Sequence, residues 1–155
     1  MDVFNLNEEP QWDAENDRDG YRHRRAAIGP RLGASLVGGT LYELPPGEKT
    51  WPYHYEQGCE EWLVCVSGRP TLRGPDGERE LEPGDVAMFP EGPEGAHQVL
   101  NSGDEPCRVL LLSSKSPLAI VHYPESGKVG LWTQRDGYQA MLPAEPTLDY
   151  WAGED

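Results

Sequence analysis

From about residue 34 to residue 123, apolar and polar positions alternate in short bursts that glycine or proline interrupts. The bursts mark candidate strands at 34–44, 48–55, 61–66, 70–73, 79–81, 85–89, 97–101, 107–113 and 118–123. Turn signals separate them, among them Pro45-Pro46-Gly47, Ser67-Gly68, Gly74-Pro75-Asp76-Gly77, Pro83-Gly84 and Gly92-Pro93-Glu94-Gly95. Asp76-Gly77 offers the positive φ values that a tight hairpin requires. Strands recurring at a spacing of roughly 8–12 residues predict an all-β sandwich or barrel.

Two runs depart from alternation. In Glu61-Trp62-Leu63-Val64-Cys65-Val66 both parities are apolar, and Val109-Leu110-Leu111-Leu112 repeats the pattern. A strand wet on one face would alternate, so these two are predicted to be covered on both. In a barrel, one face points into the lumen. The other calls for a second layer, from the same chain's N-terminal arm or from a second copy in a homodimer. The chain therefore divides into an arm at 1–33, a barrel at 34–123 and an extension at 124–155. The arm is polar with Phe4, Trp12 and Tyr21 scattered through it; the extension has a strand candidate at Val129–Thr133 and then wraps the surface.

Composition supports this division and narrows the partners. Gly (18) and Pro (15) make about a fifth of the 155 residues, which disfavours long helices. A formal charge of −14 repels phosphate backbones and anionic lipid heads, so neither nucleic acid nor a membrane is expected as a partner. No run approaches the ~18 apolar residues of a membrane span, and the N-terminus lacks the pattern of a signal peptide. Cys59, Cys65 and Cys107 are odd in number and form no CxxC, as expected of reduced thiols in a cytoplasmic protein. The cluster Arg22-His23-Arg24-Arg25 reads as a solvated face or as partners for the acidic surplus, and His23 and His122 as surface histidines. Arg69 and Arg73 are expected to pair with Glu78, Glu80 or Glu82 across the hairpin.

The chemistry gathers at four residues. His54 and Glu56 are two apart, so on a strand they point to the same face. Glu61 opens the doubly apolar strand on the parity of Leu63 and Cys65, the lumen side, whereas Glu60 points away. His97 opens a later strand. Two His and two carboxylates at the mouths of apolar runs are the ligand types a divalent transition metal takes. A buried carboxylate also needs a partner, and a metal ion is one.

The spacing Gly47-x6-His54-x-Glu56-x4-Glu61-x6-Gly68 resembles the first motif of the cupin superfamily, G-x5-H-x-H-x3,4-E-x6-G. Gly84-x5-Pro90-x-Gly92-x4-His97-x3-Asn101 resembles the second, G-x5-P-x-G-x2-H-x3-N. The resemblance covers roughly residues 34 to 115 and implies a double-stranded β-helix, the jelly-roll barrel, with a metal in the lumen and commonly a dimer. It implies His54, Glu56, Glu61 and His97 as ligands of Mn, Fe, Zn or Ni, and Asn101 as a structural hydrogen-bonder. This chain carries Glu56 where the motif has its second His, one extra residue before His54 and two before His97. Glu56 either ligates, or swings out and leaves the two-His, one-carboxylate triad of non-haem iron oxygenases. A third reading has no metal, with both carboxylates hydrogen-bonded to the imidazoles. Dioxygenase, isomerase and lyase chemistry on a small organic molecule are all compatible with the resemblance, as is a non-catalytic module that binds a small molecule or metal.

Overall fold

The computed structural model describes residues 1–133 and 137–154; residues 134–136 and 155 of the C-terminal extension lie outside the described part. The arm contributes β1 (Ala14–Asn16), β2 (His23–Ala27) and a single helical turn, α1 (Ile28–Arg31). Then follow β3 (Val37–Leu44), β4 (Tyr55–Gln57), β5 (Glu61–Ser67), β6 (Thr71–Gly74), β7 (Gly77–Glu80) and β8 (Val86–Phe89). A 3-10 turn at Pro93–Gly95 precedes β9 (Gln98–Leu100), β10 (Cys107–Ser114), β11 (Leu118–Tyr123), β12 (Lys128–Thr133) and β13 (Gln139–Pro143). The sheets run β1-β2-β3-β10-β5-β8, β13-β12-β11-β4 and β7-β6-β9, with antiparallel pairing throughout. This is the all-β architecture that the pattern predicts, in the jelly-roll form that the resemblance implies. Among the described residues no helix is long and apolar enough to cross a membrane.

Side-chain parity sorts the two faces of the large sheet. Leu63 and Cys65 of β5 and Val109 of β10 face the lumen, where they pack with Tyr42, Leu44, Phe89 and Val99. On the outer face, Ala26, Ile28 and Leu41 pack with Phe4, Leu6 and Trp12 of the arm, together with Val66 and Leu110. The arm thus supplies the second layer over one end of the doubly apolar strands. The other end stays open. Trp62 pairs with Met88 and Val64 with Val86, and Trp62, Met88 and Val86 remain 44%, 46% and 57% exposed.

Two turns depend on glycine for different reasons. Gly68 ends β5 at φ 76°, and a Cβ there would lie 2.6 Å from the Cβ of Cys107, so both backbone angle and space exclude a side chain. The β6–β7 hairpin turns on Pro75-Asp76; only Gly77 takes a positive φ (119°) and Asp76 does not, a correction to the expected Asp-Gly turn. Asn101 behaves as expected: its Nδ2 donates to Leu44 O (2.9 Å) and Glu105 O (2.8 Å), and its Oδ1 accepts from Gly103 N (3.1 Å).

Three further expectations change. Residues 48–55 are not one strand. Pro52 brings no N–H to a ladder, and the segment is tied to β9 and its flank by the bridges Lys49↔Leu100 and His54↔His97 and by Gln98 Nε2 donating to Trp51 O at 2.8 Å. His23 is not a surface histidine: pairing of β2 with β3 turns it inward, where it is 3% exposed, with ring centroids 4.8 Å from Trp51 and 5.3 Å from Tyr42. The neighbouring arginines do pair with the acidic surplus: Arg22 with Glu48 at 2.6 Å, and Arg24 with Glu43. Arg69 pairs with Glu80 and Glu82 as expected, but Arg73 reaches Glu125 (2.6 Å) instead of the hairpin. His122 is half-buried, its ring stacked on Tyr55 at 4.6 Å.

Candidate metal centre

His54 and His97 face each other across two backbone hydrogen bonds, His97 N to His54 O at 2.8 Å and His54 N to His97 O at 3.1 Å. Each imidazole is anchored by a carbonyl two residues upstream: Nδ1 of His54 lies 2.8 Å from Pro52 O, and Nδ1 of His97 lies 2.9 Å from Gly95 O. A carbonyl can only accept, so each Nδ1 carries the proton and each Nε2 keeps a free lone pair, the tautomer a metal ligand needs. The two extra residues before His97 form part of the 3-10 turn that ends in Gly95. A Cβ on Gly95 would sit 1.8 Å from Pro90 O, so no other residue fits there without moving the turn. Phe89 stacks on His97 (3.7 Å, 7°) and Tyr123 on His54 (5.9 Å, 26°), fixing the ring planes.

Glu61 opens β5 directly opposite Phe89 and points into the same space. One ligand atom each from His54, Glu61 and His97 lie within 4.8 Å of one another. Oε2 of Glu61 is 3.5 Å from Nε2 of His97 and, though buried, has no hydrogen-bond partner. That orphaned oxygen tests whether a cation fits. Donors held at the roughly 2.1 Å of a metal–nitrogen or metal–oxygen bond stand about 3–4 Å apart, so the group needs only small inward shifts.

The electrostatics agree. Burial, and then the nearby Glu56, push the Glu61 carboxyl up to about 8. Burial, and then the neighbouring His54, push His97 down to about 3, while burial lowers His54 as well. Without a metal ion the group is therefore uncharged at neutral pH, and a dication would draw the proton from Glu61.

Glu56 lies apart from the three. It sits on β4 opposite Val121 and lines the same cavity, outside the close group, with the Cys59 thiol near its carboxyl. Burial raises its pKa. Glu60 is exposed and accepts from Trp62 Nε1 at 2.7 Å, pointing away as expected. The cavity over the group encloses ≈ 210 Å³ and adds the hydroxyls of Thr40, Tyr42, Thr50 and Ser113. A second cleft of ≈ 370 Å³ adjoins it, sharing Trp51, His54 and Glu56 and walled by Tyr123 and Trp132. Phe89, Tyr123 and Cys59 were not foreseen as site residues. They reach the site through register and sheet curvature; only the inward parity of Phe89 with Ala87 hinted at one of them.

Residues 40–113 match the sequence model of the family described as Cupin domain. Among solved structures, a sugar phosphate isomerase from a cupin superfamily, from Silicibacter pomeroyi, is 27% identical. The match covers 85% of this chain and 82% of that one, with a TM-score of 0.75. A protein from Acidithiobacillus ferrooxidans is 22% identical over 92% of this chain and 91% of its own, at a TM-score of 0.77. The polyketide cyclase RemF of Streptomyces resistomycificus is 23% identical over 77% and 83%, at 0.58. No curated protein matches the chain.

Proposed function

The chain belongs to the cupin superfamily, and on that premise we propose that it is a metal-dependent isomerase of small hydroxylated carbonyl compounds bound in the lumen. The observation that carries this reading is the buried His54–Glu61–His97 group within 4.8 Å, with one carboxylate oxygen left without a partner. Two neutral imidazoles and a carboxylate suit Mn, Fe, Zn or Ni, and such an ion supplies a Lewis acid for a carbonyl or hydroxyl oxygen. Glu56 is the carboxylate on the cavity wall outside that group. It takes a proton from the hydroxyl-bearing carbon beside the substrate carbonyl and returns it to the former carbonyl carbon, while that hydroxyl gives its proton to the former carbonyl oxygen, so the carbonyl moves one carbon along with no oxidant or reductant. Thr40, Thr50 and Ser113 offer hydroxyls to a hydroxylated substrate, and Trp51 and Tyr123 exclude water at the mouth. The resemblance to the Silicibacter pomeroyi sugar phosphate isomerase supports a sugar-like substrate.

The test is solvent exchange. Metal-loaded protein incubated in D₂O with a panel of aldose and ketose phosphates is expected to place deuterium on the carbon next to the carbonyl, read by NMR. Glu56→Gln is expected to keep the metal and to slow exchange by at least about a hundredfold. Saturable binding without exchange would instead identify a binding module. Oxygen consumption would identify an oxygenase built on the same two-His, one-carboxylate set.

Trp62, Val64, Val86 and Met88 on the outer face of β5 and β8 form an apolar stripe that the arm leaves open. A second copy covers it, which makes the protein a homodimer. Met88→Glu is expected to yield a monomer in light scattering with the fold intact; an unchanged dimer would place the interface elsewhere. The three cysteines are buried and free, in keeping with a cytoplasmic protein.

A further inference from the structure

A separate cavity of ≈ 470 Å³ lies where the arm meets the Trp51–Tyr53 loop and the start of β12. Trp51 is the one wall residue it shares with the metal cavity and its adjoining cleft, and none of His54, Glu56, Glu61 or His97 lines it. Its walls carry two cations, Arg18 and Lys128, and three aromatic rings, Tyr21, Trp51 and Tyr53.

Among the described residues, the two cations on this wall are free of carboxylate partners. Acidic residues outnumber basic ones by 14, and Arg22, Arg24, Arg31, Arg69, Arg73 and Arg108 all hold carboxylates. Among the described residues, Arg18 and Lys128 have no carboxylate within 4.0 Å, as is true of Arg25, Arg79, Lys49 and Lys115 elsewhere; Lys128 has the Tyr123 ring 5.4 Å from its Nζ. The single carboxylate on the cavity wall, Glu125, is already engaged by Arg73 at 2.6 Å. Each aromatic wall also has a cation against it: Lys49 over Tyr21 at 5.3 Å, Arg25 over Trp51 at 6.0 Å and Arg73 over Tyr53 at 4.5 Å. A concave, positively charged, aromatic-lined pocket on an acidic protein selects for a negative charge attached to a flat group.

We propose that this cavity is a binding site for a small organic anion, a phosphate or carboxylate on a planar ring, with its charged end between Arg18 and Lys128 and its ring against Trp51 and Tyr53. The site is distinct from the metal centre and does not depend on the isomerase reading.

Calorimetric titration with phenyl phosphate and with benzoate is expected to give saturable binding of at least one, weakening as salt is raised. Arg18→Ala and Lys128→Ala are each expected to lower that affinity by about tenfold, while His97→Ala leaves it unchanged. Neutral phenol is expected not to bind at comparable concentration. Both cations are at or near the surface, and unchanged thermal melting of the two variants shows that lost binding is not lost folding. The proposal is overturned if neither anion binds, if phenol binds as well as they do, if the two alanine variants bind like wild type, or if His97→Ala removes the binding, which would put the anion in the lumen.

Discussion

His97→Ala is expected to strip the protein of metal, lowering affinity by more than about a hundredfold, since loss of even an outer hydrogen-bond partner of a ligand costs 10–100-fold. Elemental analysis of the purified variant and competition against a chromogenic chelator would read this directly. Three properties make this imidazole hard to replace. Gly95 O holds its Nδ1–H at 2.9 Å, which leaves Nε2 free. Phe89 fixes its plane at a 3.7 Å stacking distance. Burial keeps it neutral, with a pKa of about 3, so it is ready to ligate across the whole physiological pH range. With alanine in its place, Glu61 and His54 alone remain from a group that spans 4.8 Å. Full metal occupancy in the variant would mean that the ion sits elsewhere and would remove the basis for the proposed isomerase.

What the sequence makes legible here, and what it hides, follows from how local each determinant is. The lumen parity of Leu63, Cys65 and Val109 could be read from alternation, because the period of a strand is fixed by its own backbone. His54, Glu61 and His97 could be read from motif spacing joined to that parity. Glu56 could not be placed in the same way. The two-residue rule assumes an unbroken strand, yet His54 bridges to His97 while Glu56 pairs with Val121 on another sheet. Pro52, which breaks the strand, is also the residue whose carbonyl orients His54. The burial of His23 depends on β2 joining β3, a long-range pairing that its polar neighbours Arg22, Arg24 and Arg25 conceal. The two faces of β5 read alike in sequence, although one end is covered by Phe4, Leu6 and Trp12 and the other is left open. The length and path of the arm decide which, and neither is encoded in the strand itself.

Glu61→Gln is expected to abolish metal uptake and at the same time to stabilise the metal-free protein at pH 8 and above, by an amount on the order of a few kcal/mol. The direction follows from the raised pKa. The folded carboxyl titrates at about 8 against an ordinary 4.5, so the folded state holds its proton more tightly than the unfolded chain does. The stability linked to that proton is complete below about 4.5 and is lost as pH rises through 8. His97 acts in the opposite sense. Its pKa of about 3, against 6.5, gives stability that is present above 6.5 and lost as pH falls towards 3. Metal-free wild type should therefore melt highest between about pH 4.5 and 6.5 and lose stability on both sides. Glutamine removes the alkaline loss and leaves the acid limb. It also gives Oε2's position an N–H that can donate to Nε2 of His97, 3.5 Å away, whose lone pair is free because its Nδ1 proton goes to Gly95 O. Melting curves of both proteins in chelator from pH 5 to pH 9 decide the matter. A wild-type profile that stays flat up to pH 9 would mean that Glu61 ionises without cost, and hence that no buried carboxylate awaits a cation there. With saturating metal the order should invert, wild type gaining stability through the ion and the glutamine variant gaining none.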